Sequence, residues 1–153
     1  MTNKELRKAA AAGDAEAQFE LAMRSLRRGH SFLEQFAKAY PLLLQAAEQG
    51  RAESQVSLGF MYHNALGVPQ DYQQARYWYE KAAAQGNADA QYNLGVMYED
   101  GIGVPPDWEK ALEWYQKACE GGNEEACEAY EEVTEKLEQG IVPGTKLWPK
   151  IDV

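Results

Sequence analysis

The sequence predicts an all-α protein built as a solenoid, or superhelix, of helical hairpins. Two 36-residue segments, Arg51–Gly86 and Asn87–Gly122, carry the same residue at 16 positions when they are aligned without a gap. A repeat of this length is typical of arrays in which each unit is a small helical element stacked on its neighbours. Similar glycine-led segments at residues 13–18 and 122–127 extend the period in both directions. These observations favour a repeat array over a compact enzyme fold.

The period divides the chain into one domain and a tail. We expect a single solenoid over residues 1–139 and an extended tail over residues 140–153. The solenoid comprises a half-repeat at 4–13, a degenerate repeat at 14–50, clear repeats at 51–86 and 87–122, and a closing helix at 123–139. Pro41 lies in the second helix of the degenerate repeat, where it is expected to kink or break that helix. The tail contains the apolar residues Leu147, Trp148 and Ile151, and it could pack on the solenoid, bind a partner or stay mobile.

The first helix of a clear repeat is predicted over residues 88–99, where Leu94 and Tyr98 share one face. Gly95 lies inside this helix, as Gly59 does in the preceding copy. A glycine inside a helix costs about 1 kcal/mol relative to alanine. Its recurrence predicts that a neighbouring backbone approaches closely at this position.

A turn and a second amphipathic helix complete the repeat. Glycines and a proline over residues 101–105 end the first helix. Asp107, like Asp71 one repeat earlier, is placed to cap the N-terminus of the second helix. That helix carries a stripe of apolar residues at helical spacing, namely Ala111, Trp114, Tyr115 and Ala118, which predicts one buried face.

The charge of the chain indicates which partners it suits. The formal net charge of the 153 residues is −9, and residues 87–122 and 123–153 each contribute −5. Binding to nucleic acid or to an anionic membrane draws on lysine and arginine, so neither is expected. A basic partner fits better, although an acidic surface also serves solubility alone. With no export signal at the N-terminus, we expect a cytoplasmic protein, or a periplasmic or secreted one if a signal peptide had been removed.

Enzymatic chemistry finds little support. The chain has two histidines, His30 and His63. His63 could approach Glu99 and Asp100 on the next first helix, but no fourth metal ligand is evident, so an exposed polar role is favoured. Phosphate-binding loops, nucleophile elbows and paired metal motifs are absent from the sequence. We therefore expect no catalysis, no cofactor and no metal.

Fifteen of the identical positions of the two clear repeats form a pattern that resembles the Sel1-like repeat (SLR) family, a relative of the tetratricopeptide repeats. In the first copy they are Ala52, Gln55, Leu58, Gly59, Met61, Tyr62, Gly67, Val68, Pro69, Asp71, Ala75, Trp78, Tyr79, Lys81 and Ala82, and all recur 36 residues on. The resemblance implies a right-handed α-solenoid whose first helices line a concave face. It also implies an adaptor function, in which the solenoid binds another protein and has no catalytic activity.

The resemblance further implies which residues face the groove. They are Phe19, Met23, Glu53, Val56, Phe60, His63, Asn64, Asp89, Tyr92, Val96, Glu99, Asp100, Glu128 and Glu132. This set makes the floor of the groove apolar at its N-terminal end and the groove acidic at its C-terminal end. Such a surface suits a basic, partly apolar helix or peptide. In the alternative interpretation, Phe60, Tyr92 and Val96 are buried against adjacent repeats and only an acidic rim is left.

The two cysteines, Cys119 and Cys127, flank the turn before the closing helix. In the cysteine-rich branch of the family, cysteines at matching places bridge the two helices, so a disulfide is permitted. A reducing cytoplasm would prevent it, and a buried reduced pair is favoured.

Three functions remain open at this point. The first is a general adaptor for a protein or peptide. A narrower version is an immunity-type inhibitor of a basic toxin, and a structural alternative is a self-associating protein.

Overall fold

The computed structural model describes residues 1–27 and 31–144, which form eight α-helices and no strand. They are α1 (Asn3–Ala11), α2 (Ala15–Leu26), α3 (Phe32–Glu48), α4 (Ala52–Asn64), α5 (Tyr72–Ala84), α6 (Ala88–Asp100), α7 (Trp108–Glu120) and α8 (Glu124–Glu138). The predicted all-α array of hairpins is confirmed, with α2/α3, α4/α5 and α6/α7 as the hairpins. None of these helices is long and apolar enough to cross a membrane. His30 and the tail residues Leu147, Trp148 and Ile151 lie outside the described residues.

Helices that follow one another in the chain pack against one another, so the apolar core is a row of clusters. One cluster is centred on Leu43, Leu58 and Met61, which are fully buried. The next repeat buries Tyr79 with Leu94 and Met97, and a third cluster forms around Tyr115 and Val133. Each unit is therefore stabilised by its neighbours, as in other helical-repeat proteins.

The predicted helix caps are present. The Asp71 carboxylate accepts hydrogen bonds from the backbone N–H groups of Gln73 and Gln74, at 3.0 and 3.1 Å. The Asp107 carboxylate accepts one from Lys110 N–H at 3.1 Å. The first helices of the two clear repeats end in the left-handed conformation, at Gly101 in α6 and at Ala65 in α4, with φ of 69° and 54°. Ala65 is the one non-glycine residue with positive φ among those described.

The two helix-interior glycines, Gly59 and Gly95, are each approached by a tyrosine ring. The prediction from sequence of a neighbouring backbone at this position was wrong. A Cβ built on Gly59 would lie 2.5 Å from Cε1 of Tyr79, and one on Gly95 would collide with the ring of Tyr115. Each tyrosine belongs to the second helix of the same hairpin, so the glycine makes room for the ring.

The degenerate first repeat has a different pair of residues at the positions of the glycine and the tyrosine. Ala22 stands at the position of the glycine and Leu43 at that of the tyrosine, and both are fully buried. The smaller leucine leaves room for the alanine methyl group, which explains why the glycine is dispensable there.

Pro41 does not break α3, which continues through it from Phe32 to Glu48. Proline removes a hydrogen bond to the carbonyl four residues earlier, here that of Ala37. Both Pro41 and Ala37 lie on the exposed face of the helix. Water can therefore satisfy the freed carbonyl, so of the kink or break expected from sequence the break does not occur.

Candidate functional site

The predicted groove residues lie on α2, α4, α6 and α8, the first helices of successive units, whose outer side is called here the first-helix face. None of them is fully buried. Phe60 is 48% exposed, and Tyr92 and Val96 are partly buried. Phe60 thus departs from the alternative in which these three side chains are buried against adjacent repeats, whereas Tyr92 and Val96 do pack against the cluster around Tyr115 and Val133. The exposed members are Glu53, Phe60, Asn64, Asp89, Asp100, Glu128 and Glu132, and the partly buried ones are Phe19, Met23, Val56, His63, Tyr92, Val96 and Glu99.

Two hollows meet at Phe60. The larger, of about 560 Å³, lies between α4, α6 and α8 and is lined by Phe60, Asp89, Tyr92, Asn93, Gly122, Asn123, Glu124 and Glu125. The smaller, of about 200 Å³, is mainly apolar and is lined by Leu26, Phe36, Leu43, Val56, Ser57, Phe60, Met61 and Asn93. An exposed aromatic ring thus separates an acidic hollow from an apolar one.

The larger hollow is strongly negative. Burial raises the pKa of the Tyr92 hydroxyl, and the nearby carboxylates of Glu125, Glu99, Asp100 and Glu128 raise it further. Such a cluster of like charges favours a cationic ligand, because each carboxylate repels a further negative charge.

Glu99 has a structural role within this face. Its carboxylate accepts a hydrogen bond from the hydroxyl of Tyr115 at 2.6 Å and pairs with the Lys136 ammonium at 3.6 Å. Burial and this hydrogen bond raise the pKa of Tyr115. Lys136 also pairs with Glu132 at 3.4 Å. These contacts link α6, α7 and α8, so the two glutamates are partly neutralised within the chain.

The N-terminal end of the face differs from the apolar floor that was predicted. The guanidinium of Arg51 stacks over the ring of Phe19, with its central carbon 3.8 Å from the ring centroid. The same group pairs with Glu16 at 2.7 Å and with Glu53 at 2.9 Å. Phe19 is therefore covered by a residue of the chain itself.

His63 is partly buried and packs against an aromatic neighbour, so the exposed position expected from sequence is not what the structure shows. Its ring packs edge-on against Tyr72, at 5.5 Å between centroids, and burial lowers its pKa. Among the residues that the structure describes, no three side chains of histidine, cysteine, aspartate or glutamate are placed to hold a metal ion.

Glutamine side chains join successive repeats, a role that the sequence analysis missed. The side-chain amides of Gln18, Gln55 and Gln91 donate to the carbonyls of Ala10, Ala47 and Ala83, at 3.1, 3.1 and 3.3 Å. In each case the acceptor lies eight residues earlier, at the end of the preceding unit. The recurrence of glutamine at one period, on an otherwise apolar face, is the signal that could have revealed these contacts.

A disulfide replaces the glutamine contact at the last junction. Cys119 and Cys127 stand 36 residues after Ala83 and Gln91, and the structure joins them, with their Cα atoms 4.8 Å apart. The reduced pair favoured by the sequence analysis is thus not the state in the structure. The two Cα atoms are brought within bridging distance by the same turn that places each upstream glutamine on its carbonyl.

Comparison with known proteins identifies the repeats. Residues 15–50, 52–87 and 88–123 each match the Sel1 repeat. No curated protein sequence matches the chain.

Among solved structures, the chain is 40% identical to a Sel1 repeat protein from Oxalobacter formigenes, over 84% of this chain and 96% of that one, with a TM-score of 0.73. It is 37% identical to c5321, a protective antigen of uropathogenic Escherichia coli with an SLR fold, with a TM-score of 0.79. That match covers 92% of this chain but 29% of the antigen. Identity to the Helicobacter pylori cysteine-rich protein B is 26%, over 84% of this chain and 97% of that one, with a TM-score of 0.61.

Proposed function

Because this chain belongs to the Sel1 repeat family, whose members generally serve as protein–protein interaction modules, we propose that it is a non-enzymatic adaptor that binds a partner protein or peptide on its first-helix face. The observation that carries the proposal is the position of Phe60, which is 48% exposed between the two hollows. An aromatic side chain in such a place is a typical anchor for a protein partner.

The chemistry of the face favours a basic partner with an apolar patch. Asp89, Glu124, Glu125 and Glu128 have no lysine or arginine partner within the described residues. Their charges would attract cationic side chains, and the smaller hollow would receive an apolar one. The same charges would repel nucleic acid and anionic lipid, so a protein or peptide is the proposed ligand.

The test is capture of partners from a lysate of the source organism, with Phe60→Ala and Tyr77→Ala compared with the unaltered protein. Tyr77 is the matched control, because it is 47% exposed but lies on α5, a second helix. We expect a basic partner that is lost from Phe60→Ala and retained by Tyr77→Ala. Binding should weaken as salt is added, since screening reduces attraction between exposed charges.

A partner retained by Phe60→Ala but lost from Tyr77→Ala would contradict the proposal and move the site to the second helices. Light scattering over a range of concentrations would reveal self-association. An immunity-type inhibitor would appear as a single captured toxin held with high affinity.

A further inference from the structure

Arg51 shows how this face binds a guanidinium group. The side chain stacks on Phe19 of α2 and lies between the carboxylates of Glu16 on α2 and Glu53 on α4. Only 16% of the side chain is exposed. Stacking on an aromatic ring and pairing with two carboxylates are the contacts that arginine, with its planar charged group, makes best.

The same groups recur at the junction of α6 and α8, without the arginine. Tyr92 stands at the position of Phe19, and Asp89 and Glu125 stand at the positions of Glu16 and Glu53. Asn123 occupies the position of Arg51, as the residue that precedes the helix. Its amide donates to Asp89 at 3.1 Å, but it is too short to cover the ring of Tyr92.

The difference in size leaves the larger hollow open. Asp89, Tyr92, Asn123 and Glu125 all line it. The junction between α4 and α6 offers no such site, because Val56 takes the place of the aromatic residue. The α6/α8 junction thus combines the aromatic ring, the two acidic groups and an open space.

We propose that the hollow between α6 and α8 binds an arginine side chain of the partner, held by Tyr92, Asp89 and Glu125 as Arg51 is held by Phe19, Glu16 and Glu53. The inference rests on the proposed function, since it names the chemical group by which the partner is anchored. Glu128 and Asp100 add negative charge around Tyr92. Phe60, on the rim of the hollow, would contact the apolar part of the same segment.

The site can be tested without knowing the partner. The probe is N-acetyl-arginine amide, added to the isotope-labelled full chain at low salt and followed by two-dimensional NMR. The citrulline analogue has nearly the same shape but no charge, and the lysine analogue has the charge without the planar group. We expect saturable shifts at Tyr92, Asn123 and Glu125 with arginine, at an affinity of about 1 mM, and weaker binding of both analogues.

Two variants make the test decisive. Asn123→Arg places an arginine where Arg51 stands in the earlier repeat, so it should fill the hollow and weaken probe binding at least about tenfold. Arg51→Asn should do the reverse and create a second set of saturable shifts around Phe19. The control for Asn123→Arg is Glu113→Gln, which makes the net charge more positive by the same amount at an exposed site on α7. It should leave the affinity unchanged.

Failure of this inference is distinct from failure of the proposed function. Equal binding of arginine and citrulline, or full binding by Asn123→Arg, would overturn the arginine site. So would a captured partner that is lost from Phe60→Ala and retained by Asn123→Arg, although the proposed function would then stand. A partner lost from both variants would support both proposals.

Discussion

Two tyrosines at the same position of adjacent repeats should respond in opposite ways to loss of their hydroxyl groups. Tyr115 and Tyr79 both pack their rings over a glycine of the paired helix. The hydroxyl of Tyr115 donates to the Glu99 carboxylate at 2.6 Å. That of Tyr79 is buried and has no hydrogen-bond partner among the described residues. The difference arises because His63 stands where the next repeat has Glu99.

The size of each effect follows from these contacts. A hydrogen bond to a charged group contributes roughly 1.5–3 kcal/mol, so Tyr115→Phe should lower the free energy of unfolding by about 2 kcal/mol. A buried hydroxyl without a partner costs roughly 1–3 kcal/mol. Tyr79→Phe should therefore raise the free energy of unfolding by about 1 kcal/mol. Phenylalanine keeps both rings, so packing against the glycines is unchanged.

The assay is urea unfolding followed by tryptophan fluorescence, to which Trp78 and Trp114 contribute. With a denaturant slope of about 2 kcal/mol/M, the midpoint should fall by about 1 M for Tyr115→Phe and rise by about 0.5 M for Tyr79→Phe. The slopes must agree with that of the unaltered protein for the comparison to hold. Equal destabilisation by both variants would refute the reasoning, because it would mean that both hydroxyls are satisfied.

Four further predictions concern other features of the fold, and each is checked by the same urea midpoint. Ser54→Ala should raise the free energy of unfolding by about 1 kcal/mol, because its hydroxyl is buried without a hydrogen-bond partner in the described part of the chain and the three other first helices have alanine there. A lowered midpoint would show that the hydroxyl is bonded. Gln55→Ala should cost about 2 kcal/mol, since it removes two hydrogen bonds of about 1 kcal/mol each, the one that Gln55 donates to the Ala47 carbonyl and the one that it accepts from the Gln85 amide; a cost near zero would contradict the inter-repeat role. Ala65→Gly should stabilise by about 0.5 kcal/mol, because relief of left-handed strain exceeds the added freedom of the unfolded chain, and destabilisation would show that the strain is absent. Replacing Cys119 and Cys127 with alanine should cost about 2.5 kcal/mol under oxidising conditions. Replacing Cys119 with alanine and Cys127 with glutamine, the residues at the matching positions of the preceding junction, should recover about 1 kcal/mol of that loss. No recovery would contradict the equivalence of the disulfide and the glutamine contact.

The repeating parts of the fold could be predicted from sequence because their signals are local. Capping by Asp71 and Asp107 depends on residues within one turn of each aspartate. The glycines at 59 and 95 signalled a close approach, but their partners lie 20 residues further on. The degenerate repeat could have revealed this pairing, because it has Ala22 in place of the glycine and Leu43 in place of the tyrosine, so both residues change together.

The helices that carry the candidate site could be predicted from sequence, but the contacts of its side chains could not. The family resemblance assigned the predicted groove residues to the first helices, and in the structure they lie on α2, α4, α6 and α8 with none of them fully buried. The sequence could not show that Arg51 covers Phe19, because that contact joins the first residue of one repeat to the first helix of the preceding one. The acidic hollow depends on the size of Asn123 relative to Arg51, which has meaning only once the two junctions are compared in space.

The central claim is that a partner binds the first-helix face, and photo-crosslinking in cells of the source organism tests it most directly. A photoreactive phenylalanine analogue would replace Phe60 in one variant and Tyr77 in another. The two side chains are nearly equally exposed, but Phe60 lies on a first helix and Tyr77 on a second helix. We predict a crosslinked protein adduct from position 60 and none from position 77. An adduct from position 77 with none from position 60 would contradict the claim.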